Sequence, residues 1–101
     1  MPDYRAVCRA DEVPPGAGRL VEPGGRALAL FNVDGRFYAV DNTCLHAGGP
    51  ICEGTLDGAT VTCPWHGWRF DVITGRTPMN SKVALDCFAV RVRDGMLEVE
   101  V

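Results

Sequence analysis

The sequence predicts an all-β, antiparallel fold, and two observations carry that expectation. Three Asp-Gly pairs, at Asp34-Gly35, Asp57-Gly58 and Asp94-Gly95, each stand between runs rich in β-branched and aromatic residues, a strong short-range signal for a hairpin. No segment has the length and period of a helix. Internal repeats and low-complexity tracts are also absent.

Taken in order, Tyr4-Arg5-Ala6-Val7-Cys8 alternates as a first strand should. Asp11 to Gly18 carries Pro14, Pro15, Gly16 and Gly18 and reads as a loop. Arg19 to Glu22 is a short second strand, stopped by Pro23-Gly24-Gly25. Arg26 to Val33 is a strong strand that turns at Asp34-Gly35 and returns along Arg36 to Val40. Asp57-Gly58 turns a second hairpin, between Thr55-Leu56 and Ala59–Thr62, and Asp94-Gly95 a third, joining Cys87–Arg93 to Met96–Val101.

A chain of 101 residues is one domain, with a modest core and no room for a second catalytic domain. Its net charge of -3 argues against nucleic acid and anionic membrane as partners. The longest apolar run, near Ala27–Phe31, is strand-sized, and Met1 to Arg5 lacks the pattern of a signal peptide. The expectation is a cytoplasmic protein.

Chemistry concentrates between Cys44 and His66. The chain has two histidines, and both follow a cysteine closely: Cys44-Leu45-His46, then sixteen residues, then Cys63-Pro64-Trp65-His66. Two thiolates and two imidazoles in matched pairs suit a transition metal. They can surround one zinc ion, or divide between the two irons of a 2Fe–2S cluster. The spacing favours the cluster. A Cys2His2 zinc finger pairs Cys with Cys and His with His on a helix. Here each arm mixes one Cys with one His, and no helical period follows either arm.

These two arms, the second continuing as Gly67-Trp68-Arg69-Phe70-Asp71, resemble the cluster-binding loops of Rieske proteins. More narrowly, they are similar to the soluble Rieske-type ferredoxins that feed electrons to ring-hydroxylating dioxygenases in aromatic hydrocarbon catabolism. The resemblance implies a β-sandwich forming a single Rieske domain over residues 1–101, with a small cluster-binding subdomain inserted at approximately 42–71. It implies one 2Fe–2S cluster, held by Cys44 and Cys63 on one iron and by His46 and His66 on the other. The implied partners are a flavoprotein ferredoxin reductase and a terminal oxygenase, with no membrane or nucleic acid, and a monomer in isolation. High-potential respiratory Rieske proteins have an extra cysteine in each arm. The matching positions here are Gly49 and Trp65, so the resemblance selects the lower-potential type.

The ligand set also sets the chemistry. With two thiolates and two neutral imidazoles the oxidised centre is formally neutral, whereas four thiolates would leave it two charges more negative. Histidine ligation therefore raises the potential, to about −150 to +300 mV across the class. No histidine remains for acid–base work, and neither a 2-His-1-carboxylate site nor a nucleophile–base pair is visible. The reading is an electron carrier rather than an enzyme.

The other residues near the arms have plainer roles beside functional ones. Gly48-Gly49-Pro50 and Gly67 allow tight loops whose amides can face cluster sulfurs, or are ordinary turn residues. Trp65 and Trp68 shield the cluster, pack the core, or do both. Thr77-Pro78-Met79 stands where Rieske proteins carry a proline-containing loop over the cluster, and can equally be a connector. Cys8, Cys52 and Cys87 read as small apolar side chains; Cys52, six residues after His46, is the one that can lie near the cluster without binding it. Trp68 and Phe70 replace the serine and tyrosine hydroxyl donors of high-potential relatives. Two other functions stay open at this level. One is a small Rieske subunit of another oxidoreductase complex, such as a nitrite reductase. The other is a structural zinc-binding module.

Overall fold

The computed structural model describes residues 4–43, 50–64, 67–78, 82 and 84–100. Its strands are β1 (Tyr4–Arg9), β2 (Gly18–Val21), β3 (Leu28–Val33), β4 (Arg36–Asp41), β5 (Thr55–Asp57), β6 (Thr60–Thr62), β7 (Arg69–Asp71), β8 (Cys87–Phe88), β9 (Val90–Arg93) and β10 (Met96–Glu100). They form three sheets, ordered β1-β10-β9, β2-β3-β4-β8 and β5-β6-β7, and every strand pairing is antiparallel. Helical structure among the described residues is limited to three-residue 3-10 turns at Ala10–Glu12, Pro23–Gly25 and Ile51–Glu53.

The middle sheet is organised around β3, whose residues Leu28-Ala29-Leu30-Phe31 are all fully buried. A strand buried on both faces reads as a continuous apolar run rather than an alternation. Its faces serve two cores. Leu28 and Leu30 join Ala39 of β4 and Cys8, Val13, Val21, Leu97 and Val99, against the β1-β10-β9 sheet. Ala29 and Phe31 join Val40 of β4 and Ile51, Val61, Cys63, Phe70, Val72 and Leu85, against the β5-β6-β7 sheet. The register agrees: Ala29 stands opposite Val40, and Leu30 opposite Ala39. A one-residue slip would exchange the two sets, so both cores fix it.

Two hairpins turn where the sequence predicts. Asp34 and Gly35 have φ of 52° and 90°, and Asp94 and Gly95 have 54° and 78°. Positive φ at both central residues is the type I′ pattern, whose twist matches that of the flanking strands. The third hairpin turns one residue later than expected. Asp57 pairs with Thr60 and belongs to β5, leaving Gly58-Ala59 as the turn. Gly58 has φ of 61° while Ala59 is not left-handed, which suits a turn with Gly at its first central position.

Other boundaries also move. β3 starts at Leu28 rather than Arg26, whose side chain instead reaches Asp86 at 3.1 Å and Asp41 at 3.7 Å. The run Cys87–Arg93 is two strands: β8 pairs with β4, and beyond Ala89 the chain crosses to pair with β10 as β9. β7 is an addition to the sequence reading. Val101, the expected end of the last strand, lies outside the described residues.

Candidate metal centre

The second arm is the tip of the β6–β7 hairpin. Thr62 pairs with Arg69, and inside that pair the Cys63 N–H donates to the Trp68 carbonyl at 2.6 Å. Gly67 turns the chain with φ of 73°, a conformation that costs an L-residue about 1–2 kcal/mol. Cys63 is 1% exposed and belongs to the core shared with Ile51, Val61 and Phe70. Trp68 is half-buried against the same core, its ring 6.3 Å from that of Phe70 and tilted by 37°. Trp65 and His66 lie outside the described residues.

The first arm leaves the end of β4. Its stem is an antiparallel bridge between Thr43 and Pro50. Residues 44–49, which include Cys44, Leu45, His46, Ala47, Gly48 and Gly49, lie outside the described residues. Below the bridge, Asn42 accepts the Ile51 N–H on its carbonyl at 2.7 Å and the Cys52 N–H on its side-chain Oδ1 at 2.8 Å.

The stems of the two arms are packed together. Ile51 is fully buried in the core that contains Cys63. Gly54, just after the first arm's return, lies so near β6 that a Cβ there would press on the Thr62 carbonyl oxygen, the Val61 Cγ2 and the Ile51 carbonyl oxygen. Glycine is needed for that approach. A third loop starts on the same sheet. An Arg76–Ala84 bridge closes it, the Asp71 N–H donates to the Arg76 carbonyl, and the Leu85 N–H donates to that of Gly75. Thr77 in this loop is buried and Pro78 exposed. Met79, the third residue of the expected covering segment, is outside the described residues.

The remaining cysteines are free thiols of a different kind. Burial pushes the Cys8, Cys52 and Cys87 thiols up from their ordinary values; Glu53 adds to this at Cys52, and Asp71 and Asp86 add to it at Cys87. A raised thiol holds its proton and is a poor metal ligand. Cys87 Sγ instead lies 3.8 Å from the carbonyl oxygens of Ile73 and Leu85. Cys52 packs at the edge of the core that holds Cys63, and its N–H meets Asn42. Among the described residues, no three His, Cys, Asp or Glu side chains gather as a metal site.

Of the four expected ligands, Cys63 alone lies among the described residues, and its surroundings suit a thiolate donor held at the base of a loop. One cysteine is held at the buried base of its loop, and the opposing loop's stem is seated on the same core. Asn42 was not singled out in the sequence. No local pattern marks it, because its side-chain bond goes to a residue ten positions on.

The chain belongs to the Rieske [2Fe-2S] domain family, whose model matches residues 3–89. It is similar to the ferredoxin CarAc of Metapseudomonas resinovorans, at 43% identity over 96 residues, 92% of this chain and 89% of that protein. It is also similar to the ferredoxin component of the p-cumate 2,3-dioxygenase system of Pseudomonas putida, at 38% identity over 104 residues, 100% of this chain and 88% of that protein. Among solved structures, it superposes on a chain from the complex of reduced oxygenase and oxidised ferredoxin in carbazole 1,9a-dioxygenase. The TM-score is 0.88 at 38% identity, covering 96% of this chain and 92% of that one.

Proposed function

We propose that this chain is a one-electron carrier, taking electrons from a flavoprotein reductase and passing them to the terminal oxygenase of a ring-hydroxylating dioxygenase system. The observation that carries this is the pairing of the two Cys–His arms with likeness along nearly the full length of ferredoxin components of such systems. One 2Fe–2S cluster, when bound, supplies a one-electron couple of moderate potential. Cys44 and Cys63 would hold one iron, and His46 and His66 the other. Cys63 keeps its end of the site dry, and the joined stems keep the two arms on one support. Residues at approximately 42–71 act as the cluster-binding subdomain, standing on the four-stranded sheet through the core that contains Phe31 and Val40. The chain works in the cytoplasm, as a monomer when isolated, and transfers electrons without transforming a substrate itself.

Electron exit through the histidine-bound iron would make Leu45, Ala47, Gly48 and the 65–67 segment the docking surface. The test is stopped-flow oxidation of the reduced protein by a carbazole-type terminal oxygenase, for wild type and Leu45→Asp. Transfer by wild type and slowed transfer by Leu45→Asp, with an unchanged visible spectrum, is the expected result. No transfer by a fully loaded wild type would overturn the carrier role, and an unaffected Leu45→Asp would move the docking site.

A further inference from the structure

The 3-10 turn Ile51–Glu53, on the return limb of the first arm, begins without a cap of its own. Its N-cap is Pro50, which provides no side-chain hydrogen bond. The leading N–H groups of such a turn have no partner within it and need acceptors from outside. Here both come from one residue across the stem. The Ile51 N–H goes to the Asn42 carbonyl at 2.7 Å, and the Cys52 N–H to Asn42 Oδ1 at 2.8 Å. The Asn42 N–H in turn donates to the Ala27 carbonyl at 3.3 Å, tying this residue to the start of β3. The next residue pair outward is the Thr43–Pro50 bridge, and the next residue along the chain is Cys44.

We infer that Asn42 is the positioning residue of the first arm, a cap supplied in trans that locks the arm's return limb to its departing limb. This rests on the reading of Cys44 and His46 as ligands. The backbone carbonyl bond is open to any residue at position 42, but the bond to Cys52 needs a side-chain acceptor of this reach. Without it a part-buried N–H is left unmet and the stem can open on one side. An aspartate offers the same oxygen at the same distance from the backbone, so it should restore the clamp. Alanine should not.

The experiment compares wild type, Asn42→Ala, Asn42→Asp and Val21→Ala. Val21 is buried in the other core, which contains neither Cys63 nor Ile51, so its truncation lowers global stability without removing either Asn42 bond. Iron and acid-labile sulfide in the wild type read the cluster assignment by itself. Amide hydrogen exchange at Cys52 reads the clamp in any metal state, and iron release to a chelator reads its effect on the arm.

The expected result is loss of Cys52 protection in Asn42→Ala and about fivefold faster iron release, the factor that corresponds to one ordinary hydrogen bond. Asn42→Asp should stay near wild type in both measurements, and Val21→Ala should lower the denaturation midpoint without altering release. If Asn42→Ala does not load at all while Asn42→Asp does, the inference is supported equally. Wild-type protection and release in Asn42→Ala would overturn it. So would release that merely tracks global stability across Asn42→Ala and Val21→Ala, or failure of Asn42→Asp to restore the clamp.

Discussion

The Cys63 N–H and the Trp68 carbonyl meet at 2.6 Å across the base of the second arm. This bond makes the arm a closed loop on a two-strand stem, so Cys63 is held by the same hairpin that builds the third sheet. The glycines around it then have separable roles. A Cβ at Gly67 would meet nothing within 4 Å, so Gly67→Ala should cost only the strain of an L-residue at positive φ, about 1–2 kcal/mol. At Gly54 a Cβ would press on the β6 backbone, and Gly54→Ala should cost about 1–3 kcal/mol by overpacking. Denaturant midpoints and chelator release on both variants check this. Gly67→Ala should speed release out of proportion to its stability loss, whereas equal, proportionate effects at both sites would contradict the distinction.

Phe70 shares its core with Cys63 and is fully buried. Hydrogen bonds to cluster sulfurs stabilise the more negative, reduced state and so raise the potential. Phe70→Tyr adds one donor in that core, and should raise the potential by tens of millivolts. About 30 mV for one electron is roughly 0.7 kcal/mol, about the net value of an ordinary hydrogen bond. Because the ring is buried, the new hydroxyl should also lower stability by about 1–3 kcal/mol. Voltammetry on the loaded variant checks the potential; an intact cluster at an unmoved potential means the ring edge faces away from the sulfurs.

The raised thiols make stability depend on alkaline pH. Cys8, Cys52 and Cys87 hold their protons more tightly folded than unfolded. Near and above the unfolded thiol pKa of about 8.5, the folded chain therefore binds more protons, and stability falls as pH rises. Below that pH the contribution is fully present. Denaturant midpoints at neutral and strongly alkaline pH should fall less for the triple Cys8→Ala, Cys52→Ala, Cys87→Ala variant than for wild type. Equal falls would show that other groups carry the dependence.

The same three cysteines should be dispensable for the metal. Serine at Cys8, Cys52 or Cys87 should leave the visible spectrum intact, while serine at Cys44 or Cys63 should abolish it. Circular dichroism on each variant separates loss of cluster from loss of fold. A normal spectrum in Cys63→Ser would remove Cys63 from the ligand set.

What could be read from the sequence follows from where the signals are local. The turns at Asp34-Gly35 and Asp94-Gly95 are visible because their chemistry lies within two residues. The Gly58-Ala59 turn slipped by one because Asp57 imitates that signal while pairing with Thr60. β7 was hidden because Arg69-Phe70-Asp71 offers a single apolar residue, and its strand character comes from pairing with β6. The break at Ala89 is invisible in an unbroken β-rich run, because it is decided by which sheet each half joins. Cys63 could be singled out by spacing. Asn42 could not, since its side-chain partner Cys52 is ten residues on and meets it only when the stem closes.

Iron and acid-labile sulfide analysis of the purified wild-type chain bears most directly on the carrier role. One 2Fe–2S cluster per chain requires iron and sulfide in equal amounts, in a red-brown protein that bleaches on one-electron reduction. Zinc without sulfide, in a colourless protein, would contradict it.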